Sequence, residues 1–120
     1  MIIKFDGLPP PKKNQRILLR RGGRLLSIPS KNFTAWRKDV LAKLKHLSPV
    51  MQTPPVAISI TYTFGDKRKR DLTNLTDSVM DVLVDGKIIE DDNWCCVPRL
   101  VIDAQYSKGV YQTIIQIEPY

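Results

Sequence analysis

The chain has 120 residues, 42% apolar and 26% charged, with a net charge of +7. That is the size and make-up of one globular domain with one core, and it excludes a disordered or fibrous chain. No run approaches the ~18 apolar residues of a membrane span, and the start MIIKFDGLPPPKK lacks the apolar stretch and small-residue cleavage site of a secretory signal. A cytoplasmic protein without membrane contact is expected. The charge is uneven: residues 1–50 carry 12 Lys and Arg against 2 acids, and residues 51–120 carry 7 against 10. A basic half implies a polyanionic partner, most simply nucleic acid. Carboxylates kept beside it imply a metal held against a phosphate.

Met1 to Phe5 reads as a first strand. GLPPPKKNQ follows, and its prolines forbid helix and give an extended segment. RILLRRGGRLLSIPS reads as a hairpin turning at Gly22-Gly23, with Arg16, Arg20, Arg21 and Arg24 around the turn. No acid lies from Gly7 to Lys38, so these arginines, with Lys12 and Lys13, read as an arm for phosphates; a solvated loop is the alternative. Ser30 suits a helix N-cap, and Phe33, Trp36, Val40, Leu44 and Leu47 recur at helical spacing, predicting a helix from Lys31 to His46 with Trp36 in the core. His46, the single histidine, falls at the helix end and leaves no histidine triad to build.

VAISITYTF alternates, with Val56, Ile58, Ile60, Tyr62 and Phe64 on one face, and it stops at Gly65. RLVIDAQY and VYQTIIQIE are two more strands joined by the short turn SKG. The order predicts an α/β (α+β) domain over residues 1–120: a mixed four-stranded sheet with two main helices. Cys95 and Cys96 are adjacent, which suits neither a framework disulfide nor a zinc site. One buried thiol and one packed or exposed thiol are expected.

The segment KRKRDLTNLTDSVMDVLVDGKIIEDD, Lys67 to Asp92, opens on four cations and closes on three anions. Between them Leu72, Leu75, Val79, Val82 and Leu83 form an apolar helical stripe, opposite a polar stripe of Asp71, Asn74, Asp77, Ser78 and Asp81. Asp71 stands where the helix starts and suits an N-cap. The Asp85-Gly86 turn would reverse the chain and bring Glu90, Asp91 and Asp92 back toward that helix, the way oxygen ligands for Mg²⁺ are gathered from separate segments.

These residues resemble the signature of the RusA-like Holliday-junction resolvases: a basic run, Asp-Leu-x-Asn-Leu, Asp-x-Leu and a late Asp-Asp, with an early Pro-Pro-x-x-Asn matched by Pro10, Pro11 and Asn14. The resemblance implies a homodimeric, Mg²⁺-dependent endonuclease that cuts four-way DNA junctions, and hard oxygen ligands without His or Cys admit Mn²⁺ as well. The resemblance implies catalytic and metal roles for Asp71 and Asp92, with Asp91 beside them, while charge and placement lead to the expectation of DNA contacts from Lys67, Arg68, Lys69, Arg70, Lys12, Lys13, Asn14, Arg16, Arg20, Arg21 and Arg24. Two positions depart from the pattern. Thr73 stands where the family has a second Asp, and Asp77 where it has a Lys. Four residues apart, they share a helix face, so Asp77 is expected to replace the missing ligand, directly or through water. The alternative is a non-catalytic branched-DNA or RNA-binding module with a degenerate metal site.

Overall fold

The computed structural model describes residues 1–11, 16–21, 24–29, 31–47 and 50–120, with the backbone alone for 16–21, 24–29 and 31. The described elements are β1 (Ile2–Asp6), β2 (Arg16–Arg21), β3 (Arg24–Pro29), α1 (Lys31–His46), β4 (Val56–Phe64), α2 (Leu72–Asp85), β5 (Arg99–Tyr106) and β6 (Gln112–Pro119). This is the expected α+β fold, with a four-stranded mixed sheet in the order β1-β6-β4-β5 and a separate β2-β3 ribbon.

The alternation of VAISITYTF becomes the centre of the sheet. Val56, Ile58, Ile60 and Tyr62 are buried together with Ile3, Phe5, Ile115 and Ile117 from β1 and β6. Onto that face α2 lays Leu75, Val79, Val82 and Leu83, and α1 adds Val40 and Leu44, so the apolar stripes of both helices meet one side of one sheet. Trp36 packs partly against this core, as its helical phase predicted, whereas Leu47 is 60% exposed, because α1 ends there and its apolar stripe stops facing the sheet. At the end of α2 a Cβ on Gly86 would stand 3.1 Å from a methyl of Leu44, so glycine lets the two helices close up. Arg37 and Asp85 join them at the surface, 3.0 Å apart.

Two polar side chains of α2 are buried, and one of them, Ser78, belongs to the stripe that the sequence reads as polar. Ser78 is buried, and its hydroxyl donates to the Pro10 carbonyl, fastening the proline segment to α2. Thr76 is buried against Tyr62, with 2.9 Å between their hydroxyl oxygens, and burial pushes the Tyr62 pKa up to about 12.

β4 and β5 run parallel, so they need a crossover, and α2 provides it. The turn after β5 does something less obvious. It joins β5 to β6, which are not neighbours, because β4 lies between them. The turn therefore passes over the end of β4 at Gly65. A Cβ on Gly65 would fall 2.7 Å from the Val110 nitrogen and 2.8 Å from the Gly109 carbonyl carbon, so only glycine admits the crossing. Among the described residues no helix is long and apolar enough to cross a membrane.

Candidate active site at the start of the second helix

Asp71 holds extended backbone angles (φ −91°, ψ 107°) and caps α2. Its Oδ1 accepts from the Thr73 amide at 3.1 Å, the Thr73 hydroxyl at 2.7 Å and the Asn74 amide at 3.4 Å, and its Oδ2 accepts from the Asn74 side-chain amide at 3.1 Å. The carboxylate thus sits fixed and exposed at the positive end of the helix dipole, a favourable place for an anion. Thr73, a departure from the resolvase pattern, donates its hydroxyl to the first carboxylate instead of adding a second. Asp77, one turn on, is exposed.

The basic run before Asp71 divides in two. Lys67, Arg68 and Lys69 are exposed. Arg70 is bound: its two terminal nitrogens donate to Asp66 at 2.8 and 2.9 Å, and its guanidinium lies 4.9 Å from the Phe64 ring centroid. Asp66 also accepts from the Tyr111 hydroxyl at 2.7 Å and the Arg68 amide at 2.8 Å. Arg70, then Tyr111, hold the Asp66 carboxyl far below the usual carboxylate range, and the same bonds push the Arg70 and Tyr111 pKa values up. This knot immediately precedes Asp71. Asp66 and Tyr111 were not singled out from sequence. Asp66 could have been, as an acid four residues before an arginine, but Tyr111 lies 45 residues away and carries no local signal.

A cleft of about 490 Å³ opens beside Asp71, with Leu8, Pro9 and Pro11 on one wall and Arg68, Lys69, Arg70, Asn74 and Leu75 around the rest. The proline segment is held there by the Ser78 bond and, at Gly7, by a backbone bond to Tyr111 at 2.7 Å and a Thr113 hydroxyl at 3.0 Å.

The late acids lie elsewhere. β4 ends beside the Asp71 loop, but it begins at Val56, whose amide donates to Cys96 at 2.8 Å, and Asp92 lies four residues before Cys96. The 14 residues of α2 run between the two groups, a length of about 21 Å. Asp91 there accepts from the Asp92 amide and the Asn93 side chain, at 2.8 and 3.1 Å, and Asn93 in turn accepts from the Cys95 and Cys96 amides. The acid loop is ordered, but the reversal at Gly86 does not return it to Asp71. The buried Ile88 and Ile89 explain this, because they fix the loop in the core at the far end of the helix. Among the described residues no three His, Cys, Asp or Glu side chains come close enough to share a metal. The oxygen-only donors suit Mg²⁺ or Mn²⁺ in kind, but one chain does not gather them.

Cys96 is buried and Cys95 exposed, and desolvation raises the Cys96 thiol pKa. Trp94 is 79% exposed. Lys12, Lys13, Asn14, Ser30 and the Gly22-Gly23 turn lie outside the described residues. Arg16, Arg20 and Arg21 fall on β2 and Arg24 on β3, where Arg21 and Arg24 are paired.

The endodeoxyribonuclease RusA family model matches residues 6–118. The chain belongs to the RusA family. A relative named crossover junction endodeoxyribonuclease RusA, from Aquifex aeolicus (strain VF5), is 28% identical over 114 residues, covering 94% of this chain and 86% of that protein. The family match spans the proline segment, the basic run, Asp71 and the late acids, so the elements that wall the cleft belong to the matched unit.

Proposed function

We propose that residues 1–120 act as one RusA-like domain: an endodeoxyribonuclease, dependent on Mg²⁺ or Mn²⁺, that resolves four-way DNA junctions by symmetric phosphodiester hydrolysis. The observation that carries this reading is Asp71, an anion fixed on a helix N-terminus and set in a cleft that Arg68, Lys69 and Arg70 help to line. That juxtaposition suits a metal and a phosphate side by side. The relative's name supplies the substrate class.

A C2 homodimer fits the placement of the acids. Within one chain Asp71 and the Asp91-Asp92 pair sit at opposite ends of α2. A two-fold partner can bring the acid loop of one copy to the Asp71 end of the other, making two equivalent sites. Asp71 and Asp77 from one copy, with Asp91 and Asp92 from the second, would hold the ion. When bound, it activates water for in-line attack and neutralises charge developing on the phosphate. The chain itself supplies the grip: Lys67, Arg68 and Lys69 on the backbone, Arg70 lining the cleft from its Asp66 tether, and the arm of Lys12, Lys13, Asn14, Arg16, Arg20, Arg21 and Arg24 on the flanking duplex.

The test is cleavage of a labelled four-way junction with and without Mg²⁺, by wild type, Asp71→Asn, Asp92→Asn and a mixture of the two variants. Each variant alone should bind but not cut. Mixed and allowed to exchange, they should regain about a quarter of the wild-type sites, because each heterodimer rebuilds one intact site from its two unmutated acids. No recovery would mean that each chain completes its own site. A wild type that binds but never cuts would identify a binding module instead.

A further inference from the structure

Three exposed side chains stand beside the basic run, and two of them, Tyr106 and Val110, have no part in the proposed chemistry. Tyr106 ends β5 and is 51% exposed, Val110 is 44% exposed, and Tyr111 is 37% exposed. They are firmly held. Tyr106 pairs in register with Phe64 of β4, and the turn that follows is bonded to the end of β4 through Ser107 to Phe64 at 3.0 Å and Gly109 to Gly65 at 2.9 Å. Gly65 lets this turn lie directly on the strand, at the same end of the sheet as Asp71. Lys67 spans the two features: its Nζ is 5.1 Å from the centroid of the Tyr106 ring. The result is an exposed aromatic face on rigid backbone, next to three exposed cations.

We propose that Tyr106, flanked by Val110, is a stacking platform for a base exposed at the branch point of the DNA, and so a specificity-determining residue. The inference rests on the junction-nuclease reading above. Phosphate contacts from Lys67, Arg68 and Lys69 hold any duplex equally, because backbone charge is the same in every duplex. A flat ring adds something different. Inside a continuous duplex each base face is covered by its neighbours, so the ring has nothing to stack on. At a four-way branch the terminal pairs of the arms can part and offer a face, and an aromatic side chain captures such a face irrespective of sequence. Lys67 over the ring reinforces the arrangement, since the cation that binds the phosphate also orients the ring beside it.

The experiment measures binding of the full chain, in EDTA to prevent cutting, to a labelled four-way junction and to a duplex of matched sequence. Wild type, Tyr106→Ala, Tyr106→Trp and Lys67→Ala are compared across a salt series. Tyr106→Ala should lower junction affinity by about tenfold, leave duplex affinity within about twofold, and leave the salt slope unchanged, while Tyr106→Trp restores junction binding. Lys67→Ala should weaken both substrates and reduce the salt slope by about 1. A 2-aminopurine placed at the branch should change its emission with wild type but not with Tyr106→Ala. Equal loss on both substrates, or no loss, overturns the proposal. So does a Tyr106→Ala variant that sediments at a different mass from wild type, since Tyr106 would then be covered by a second copy. If wild type itself does not prefer the junction, the nuclease reading has failed; if it does and Tyr106→Ala keeps that preference, this inference alone has failed.

Discussion

Asp71 is asked to cap α2 and to hold a metal, and two substitutions separate these roles. In Asp71→Asn the side-chain carbonyl can still accept from the Thr73 amide, the Thr73 hydroxyl and the Asn74 amide, the three donors that Oδ1 serves. The new amide nitrogen replaces Oδ2, which accepts from Asn74, and turning the Asn74 amide over presents an oxygen to it. Asn caps helices about as well as Asp, so the loss is confined to the charge at the helix dipole, a few tenths to about 1 kcal/mol. Asp71→Ala removes every acceptor and should cost about 1–2 kcal/mol, lowering Tm by roughly 3–8 °C for a chain of this size. Cleavage should follow a different order. Both variants lose the carboxylate that the proposed site uses to hold its metal, a role worth several kcal/mol of transition-state stabilisation, so both should cut at least about 100-fold more slowly. The assay pairs thermal unfolding with single-turnover junction cleavage at saturating Mg²⁺. A metal role for Asp71 is refuted if Asp71→Asn cuts near the wild-type rate. It is equally refuted if the Asn variant is as unstable as the Ala variant and recovers its activity on cooling, because the carboxylate would then be structural.

Asp77→Asn should raise the Mg²⁺ concentration for half-maximal cleavage by about tenfold or more, as loss of a ligand or of its outer-sphere support does; an unchanged Mg²⁺ titration would leave Asp77 outside the site. Gly65→Ala should lower stability by about 1–3 kcal/mol in urea unfolding, because two of the three atoms its Cβ would meet are backbone of the crossing turn, and an unaltered midpoint would contradict the close packing. Tyr62→Phe leaves the buried Thr76 hydroxyl unpartnered and should cost about 1–3 kcal/mol, with Tyr62→Phe/Thr76→Val recovering part of the loss. The Tyr62 pKa is raised by folding from 10.0 to about 12, so its contribution is whole below the unfolded value and fades as pH climbs between them; urea midpoints should fall further from pH 8 to pH 11 in wild type than in the Phe variant, which keeps the raised Tyr111 and Cys96 groups.

Much of the fold was legible because each element carried a local signal. The alternation of VAISITYTF, the stripe from Leu72 to Leu83 and the N-cap at Asp71 are decided within a few residues. The β1-β6-β4-β5 order was not, since it depends on which strand edges find each other, and the SKG turn gives no hint that it bridges two strands with a third between them. Ser78 went astray for the same reason. Its helical phase places it beside polar neighbours, but its partner, the Pro10 carbonyl, lies 68 residues away.

The site follows the same division. Acids and cations along one stretch of sequence suggested one local cage, and that step failed on α2: a straight helix carries the late acids about 20 Å from the early one, and the burial of Ile88 and Ile89 prevents the chain from turning back. Sequence proximity thus grouped acids that a single chain holds apart. The Arg70 knot shows the converse. Four consecutive cations read alike as phosphate contacts, but one of them is held by Asp66, whose Oδ2 also accepts from the Tyr111 hydroxyl on the crossing turn. The structure thereby ties the end of the sheet to the residue before the helix cap, so a disturbance at Gly65 or Tyr111 has a short path to Asp71. What holds the cleft in shape is spread over Gly7, Gly65, Ser78 and Tyr111, none of which belongs to the charged motif.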